Sequence, residues 1–173
     1  MKTIAALALV SLTTAAFAGQ PMTTHTGKKV IIPQEACFGE TELQLDVYGA
    51  YASSDGSHGS GFGGGLGVNY YFTRNFGVGL DATLVEGNTG EVFAGTVSFL
   101  ARYPFEIGHI CLAPYAKVGG GVEVDGSPEG MISVGGGLEW RINSRMGFFG
   151  EGTYNFAREN EYIGVRAGLR FIF

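Results

Sequence analysis

From Glu42 to Phe173 the chain is a succession of segments in which apolar residues recur at every second position. Period two marks a β-strand, whose side chains point alternately to opposite faces; helical spacing does not fit. In 41–53, Leu43, Leu45, Val47 and Tyr51 oppose Gln44, Asp46 and Tyr48. In 61–72, Phe62, Leu66, Val68, Tyr70 and Phe72 oppose a face made mostly of glycine. In 75–85, Phe76, Val78, Leu80, Ala82 and Leu84 oppose Asp81 and Thr83. In 91–103, Phe93, Val97, Phe99 and Tyr103 oppose Thr96, Ser98 and Arg102. The scheme continues in 110–124, with Leu112, Ala116, Val118 and Val122 against Tyr115, Lys117 and Glu123. It continues in 131–142, with Ile132, Val134, Leu138 and Trp140 against Ser133 and Glu139. Met146, Phe148, Tyr154 and Phe156 stand against Glu151 and Thr153 in 146–156. Last, Val165, Ala167, Leu169, Phe171 and Phe173 alternate with Gly164, Arg166, Gly168 and Arg170.

The connections fall into two sets, DGSHGS, EGNTG, DGSPEG and ARENE alternating with TRN, PFEIGH and NSR. All are short, so successive strands must pair as antiparallel hairpins. Eight such strands predict an all-β fold, an eight-stranded antiparallel up-and-down β-barrel over residues 42–173. Pro114 lacks the N–H that a ladder bond requires, which places it near the start of the fifth strand or at a bulge.

A barrel of this size can be soluble, with an apolar core, or it can span a membrane with its apolar face outward. Composition favours the membrane. Charged residues make up only 16% of the chain, against about 25% in a typical soluble domain. The polar face is glycine, serine and threonine with one or two charges per strand, suited to filling a narrow lumen. Phe62, Phe72, Phe76, Tyr103, Trp140, Phe148, Phe156 and Phe173 lie near strand ends, where interfacial girdles form. Segments of about ten residues cross a bilayer when tilted.

Residues 1–18, MKTIAALALVSLTTAAFA, have the layout of a secretory signal peptide: Lys2, an apolar run from Ile4 to Leu12, and Ala16-Phe17-Ala18 as cleavage site. Residues 19–41 are polar apart from a short VII core and read as an extended periplasmic leader.

The closing strand, Val165 to Phe173, resembles the C-terminal signal of bacterial outer-membrane proteins, which the barrel-assembly machinery recognises. The whole resembles the small OmpA/OmpX-type barrels. That resemblance implies a Gram-negative outer membrane, with lipid and lipopolysaccharide as surroundings and Val165, Ala167, Leu169, Phe171 and Phe173 as the assembly signal. It also implies that TRN, PFEIGH and NSR are periplasmic turns. The other loops and their flanks then hold Asp55, Glu86, Glu91, Glu123, Asp125, Glu129, Glu159 and Glu161 against Arg158 alone. Ordinary solvated loops account for such a rim better than a divalent-cation layer does.

Asp46, Asp81, Lys117, Glu139, Glu151, Arg166 and Arg170 fall on the inward face. Buried charges must pair, so these seven predict a lumen charge network, with Arg166 near Glu151 or Asp46. In OmpA-type barrels comparable pairs have been read as a gate; a packed polar plug is the simpler expectation for eight strands. Cys37 and Cys111 are the only cysteines. In an oxidising compartment an even pair predicts a disulfide, the alternative being two free thiols. The bond would draw the segment before Glu42 across the barrel mouth.

Net charge −5 excludes a basic nucleic-acid-binding surface. Of His25, His58 and His109, only His58 lies toward the outer side, on a glycine-flanked loop that lacks the preorganisation catalysis requires. No metal motif, phosphate loop or cofactor motif occurs, since the glycine runs precede no helix. The expectation is a non-catalytic barrel with an envelope-stabilising or surface-interaction role. An adhesin or receptor, a narrow pore and, last, a lipid A-modifying enzyme are the alternatives. Oligomeric state is not legible.

Overall fold

The computed structural model describes residues 37–173 apart from 55–59, 88–89, 126 and 158–160. The signal peptide at 1–18, the leader as far as residue 36, His25 and His58 lie outside the described residues. The strands are β1 (Glu42–Ser54), β2 (Ser60–Tyr71), β3 (Phe76–Gly87), β4 (Gly90–Arg102), β5 (Phe105–Ile107), β6 (Ile110–Asp125), β7 (Ser127–Asn143), β8 (Met146–Ala157) and β9 (Glu161–Ile172). No helix occurs among the described residues.

Each long strand pairs antiparallel with the next, β4 pairs with β6, and β9 returns to β1. The eight long strands therefore close into a barrel. Closure leaves no unpaired edge along the wall, the condition a spanning sheet must meet. At the seam Phe173 N–H donates to the Leu43 carbonyl at 2.9 Å.

Alternation fixes which side chains enter. Leu80 and Ile132 are each 60% exposed on the outside, while their neighbours Asp81 and Ser133 are buried within. The whole outer wall follows this rule with Leu, Val, Ile and aromatic residues. Inside, tyrosines lie over glycines of the adjoining strand. A Cβ added at Gly65 would stand 2.6 Å from the Tyr48 ring, at Gly77 2.9 Å from Tyr71, and at Gly137 2.8 Å from Tyr115. The glycine-rich face thus makes room for aromatic rings inside the barrel.

Two connections differ from the expectation. PFEIGH is not a plain turn: β5 folds back on β6 as a short hairpin through Gly108, at φ +63°. Gly at this position tolerates a left-handed backbone that a side chain would oppose. DGSPEG is largely strand, with Asp125 paired to Ser127. Pro114 lies inside β6 in regular register opposite Leu138. Its carbonyl accepts from Tyr103 N–H at 2.9 Å, just past the last β4–β6 pair at Arg102 and Tyr115. The missing N–H faces that same side, so the reciprocal bond to Tyr103 cannot form and the β4–β6 ladder stops at Arg102 and Tyr115.

The end of the leader is not extended either. Phe38 is 1% exposed and packs with Cys111 and Ala113. Residues 37–41 therefore belong with the barrel rather than with a separate leader.

Candidate functional site

The lumen concentrates the chain's buried charge. Asp46 and Arg170 are direct cross-strand partners on β1 and β9. Arg170 Nε and Nη2 donate to the two Asp46 carboxylate oxygens, each at 2.7 Å. Arg170 Nη1 reaches Glu139 at 2.8 Å, and Arg141 Nε donates to the other Glu139 oxygen at 2.6 Å. Arg141 also pairs with Glu42, which accepts from Arg102 Nη1 at 2.7 Å. Three carboxylates and three guanidiniums thus form one neutral chain.

A second cluster lies farther along the axis. Glu151 and Arg166 are cross-strand partners on β8 and β9, with Arg166 Nε 2.8 Å from Glu151. Lys117 Nζ lies 2.9 Å from Glu151 and 3.1 Å from Asp81. Arg166 Nη1 closes the ring on Asp81 at 3.0 Å. Two acids meet two bases, again with no net charge.

Burial of an ion from water costs several kcal/mol, recovered only where geometry is close and remaining donors find acceptors. Both clusters meet that demand. Asn69 donates to Asp46 at 2.8 Å and the Tyr115 hydroxyl donates to Glu151 at 2.9 Å. Arg170 lies over the Phe149 ring at 4.7 Å, and Arg166 over Tyr48 at 4.7 Å. Guanidinium faces stacked on rings complete the packing of the axis.

Residues 37–42 lie at the mouth nearest Cys37 as a candidate stopper. A disulfide joins Cys37 to Cys111. Phe38 lies between two guanidiniums, 4.0 Å from Arg141 and 5.2 Å from Arg102. Arg141 donates to the Cys37 carbonyl, and Gly39 N–H donates to Glu42. On the far side, Glu106 of β5 accepts from Cys37 N–H at 3.1 Å. Backbone, ring and disulfide together fasten residues 37–42 into the mouth.

The structure brings together all seven of the inward charges read from the sequence, divided between the two clusters. Arg166 takes Glu151 and Asp81, and Arg170 takes Asp46. Glu42, Arg102 and Arg141 complete the first cluster and were not among those seven. Their parity was available: Glu42 shares a face with Asp46, Arg102 with Ser98, and Arg141 with Glu139. Glu123, assigned to the acidic rim, is instead buried inside, because β6 runs on to Asp125 and encloses it. Val165, Ala167, Leu169, Phe171 and Phe173 lie on the outer face of the last strand and the residue after it. His109 is exposed in the β5–β6 turn.

No protein-family model matches the sequence, and no curated protein matches it. Solved structures do. Neisserial surface protein A is 18% identical with a TM-score of 0.57, covering 78% of this chain and 98% of its own. OprG from Pseudomonas aeruginosa is 12% identical with a TM-score of 0.54, covering 80% of this chain and 99% of its own. The N-terminal barrel domain of OprF from the same organism is 15% identical with a TM-score of 0.53, covering 78% of this chain and 99% of its own. At these identities the likeness is one of fold, and the fold of this chain is that of the small eight-stranded outer-membrane β-barrels.

Proposed function

We propose that the chain is an integral outer-membrane β-barrel with a closed lumen, acting structurally in the envelope rather than as a pore or an enzyme. One observation carries this reading: the wall is apolar outward, while the ten charges of the two clusters are paired among themselves inside. An apolar exterior suits hydrocarbon, and neutral interlocked clusters suit a plug. Lipid and lipopolysaccharide are its surroundings, and the apolar positions from Val165 to Phe173 are the signal read by the barrel-assembly machinery. No cofactor or metal enters this reading. Export through a cleaved signal peptide belongs to it as well.

Reconstitution into a planar bilayer tests the closed lumen; steady single-channel steps overturn it. A deletion strain tests the envelope role, with increased sensitivity to bile salts and vancomycin as the expected result. Unchanged resistance refutes it.

A second reading concerns surface interaction. β6 and β7, the longest of the described strands, pair with each other out to Asp125 and Ser127. The end of this hairpin is the natural contact for a surface partner. Shortening it without loss of host-cell attachment counts against adhesion.

A further inference from the structure

Beyond the second ion cluster the lumen is not filled. A cavity of about 110 Å³ lies on the side of Lys117 and Arg166 away from Cys37. One cross-strand row creates it: Ala52 of β1 pairs with Gly61 of β2 and Gly164 of β9, so three adjoining strands present almost no side chain. The opposite wall is substantial, with Glu123, Met131, Ser133 and Asn155 all buried. Two contacts hold that wall in place: the Tyr162 hydroxyl donates to Met131 Sδ at 3.1 Å, and Asn155 Nδ2 donates to Thr153 Oγ1 at 3.2 Å.

We propose that this well binds a small neutral amphiphile, one six-membered ring bearing a hydroxyl. Size sets the first limit: the well of about 110 Å³ is smaller than the apolar cavity of about 150 Å³ that accepts benzene, so no more than one ring enters, with its hydroxyl toward the open end. Ala52, Val85, Val92 and Ala94 supply apolar surface, while Thr96 and Ser133 supply hydroxyls that can meet a polar substituent. Charge sets the second limit. The floor has no net charge because Lys117 and Arg166 are matched by Asp81 and Glu151. An anionic ligand would face Glu123, and a cationic one would meet Lys117 and Arg166 at the floor with Glu123 already engaged within the wall, so either would lose hydration without a dedicated counter-ion. The proposal rests on the lumen being closed at that floor.

Methyl NMR of the full barrel in phospholipid nanodiscs, labelled at Met and Ala and titrated with benzyl alcohol, tests it. Met131, Ala52 and Ala94 should shift saturably. Outward-facing Ala82 and Ala167, which report partition into lipid, should drift linearly. Ala52→Leu, or Ala94→Leu if the first fails to fold, should fill the well and weaken binding by about tenfold or more. Linear drift at every methyl overturns the site. Tighter binding of benzoate or benzylammonium than of benzyl alcohol overturns the neutral class. Saturable shifts extending to Ala113 at the Cys37 end show that the floor is open and refute the closed-lumen reading instead.

Discussion

Arg170 holds Asp46 by two parallel hydrogen bonds of 2.7 Å each across the β1–β9 seam, the pair of strands farthest apart in sequence. The bond that closes the sheet is thus doubled inside the barrel by a bidentate ion pair. Such forks carry geometric specificity as well as energy, so this pair also helps to set the register in which the barrel closes.

Arg170→Met should leave Asp46 and Glu139 as buried carboxylates short of a cation, costing about 3–5 kcal/mol. Urea unfolding in phospholipid vesicles measures it. Adding Asp46→Asn should recover part of the loss; a double variant no better than the single one would contradict the pairing.

The outer wall gives a test of parity. Leu80→Arg places a cation among lipid tails and should cost about 2–4 kcal/mol if the position is near the bilayer midplane. In a soluble barrel the same change would be close to neutral. The unfolding assay in vesicles distinguishes the two.

Glycines on opposite faces of neighbouring strands should behave differently. At Gly137 a Cβ would meet the Gly150 carbonyl and stand 2.8 Å from the Tyr115 ring. At Gly152 it would meet nothing within 4 Å. Gly137→Ala should destabilise by about 1–3 kcal/mol through overpacking, and Gly152→Ala by less than about 0.5 kcal/mol. Equal effects on the unfolding midpoint would show that the rings do not occupy the glycine face.

Cys37 and Cys111 lie 74 residues apart in sequence. The chain-entropy relation gives about 4.5 kcal/mol for a closed loop of that length. The Cys37→Ser/Cys111→Ser variant should unfold at correspondingly lower denaturant, and the denatured, unreduced native protein should show no free thiol. Single-channel recording on the same variant should remain silent, because the second ion cluster lies deeper than the stopper. Conductance appearing on loss of the disulfide would assign the block to Phe38 alone.

Much of this was legible in the chain. A strand's side-chain period does not depend on its neighbours, so Leu80 outward and Asp81 inward could be read from alternation. The pairing of Arg166 with Glu151 followed from strand adjacency. Other features were hidden. Phe38 is a lone aromatic in a polar stretch, and no periodicity marks it as buried. Glu42 opens its strand, where the alternation has only begun, and its partners Arg102 and Arg141 come from strands it never adjoins.

Eight alternating segments with short turns by themselves determined an antiparallel barrel, the sidedness of its wall and the set of charges that had to be neutralised within, since all three follow from local spacing. Only the tertiary structure decided which acid meets which base, where the aromatic stopper lies and where the lumen is left empty. Those outcomes depend on strand stagger around a closed circumference, which brings together side chains from strands that share no hydrogen bond.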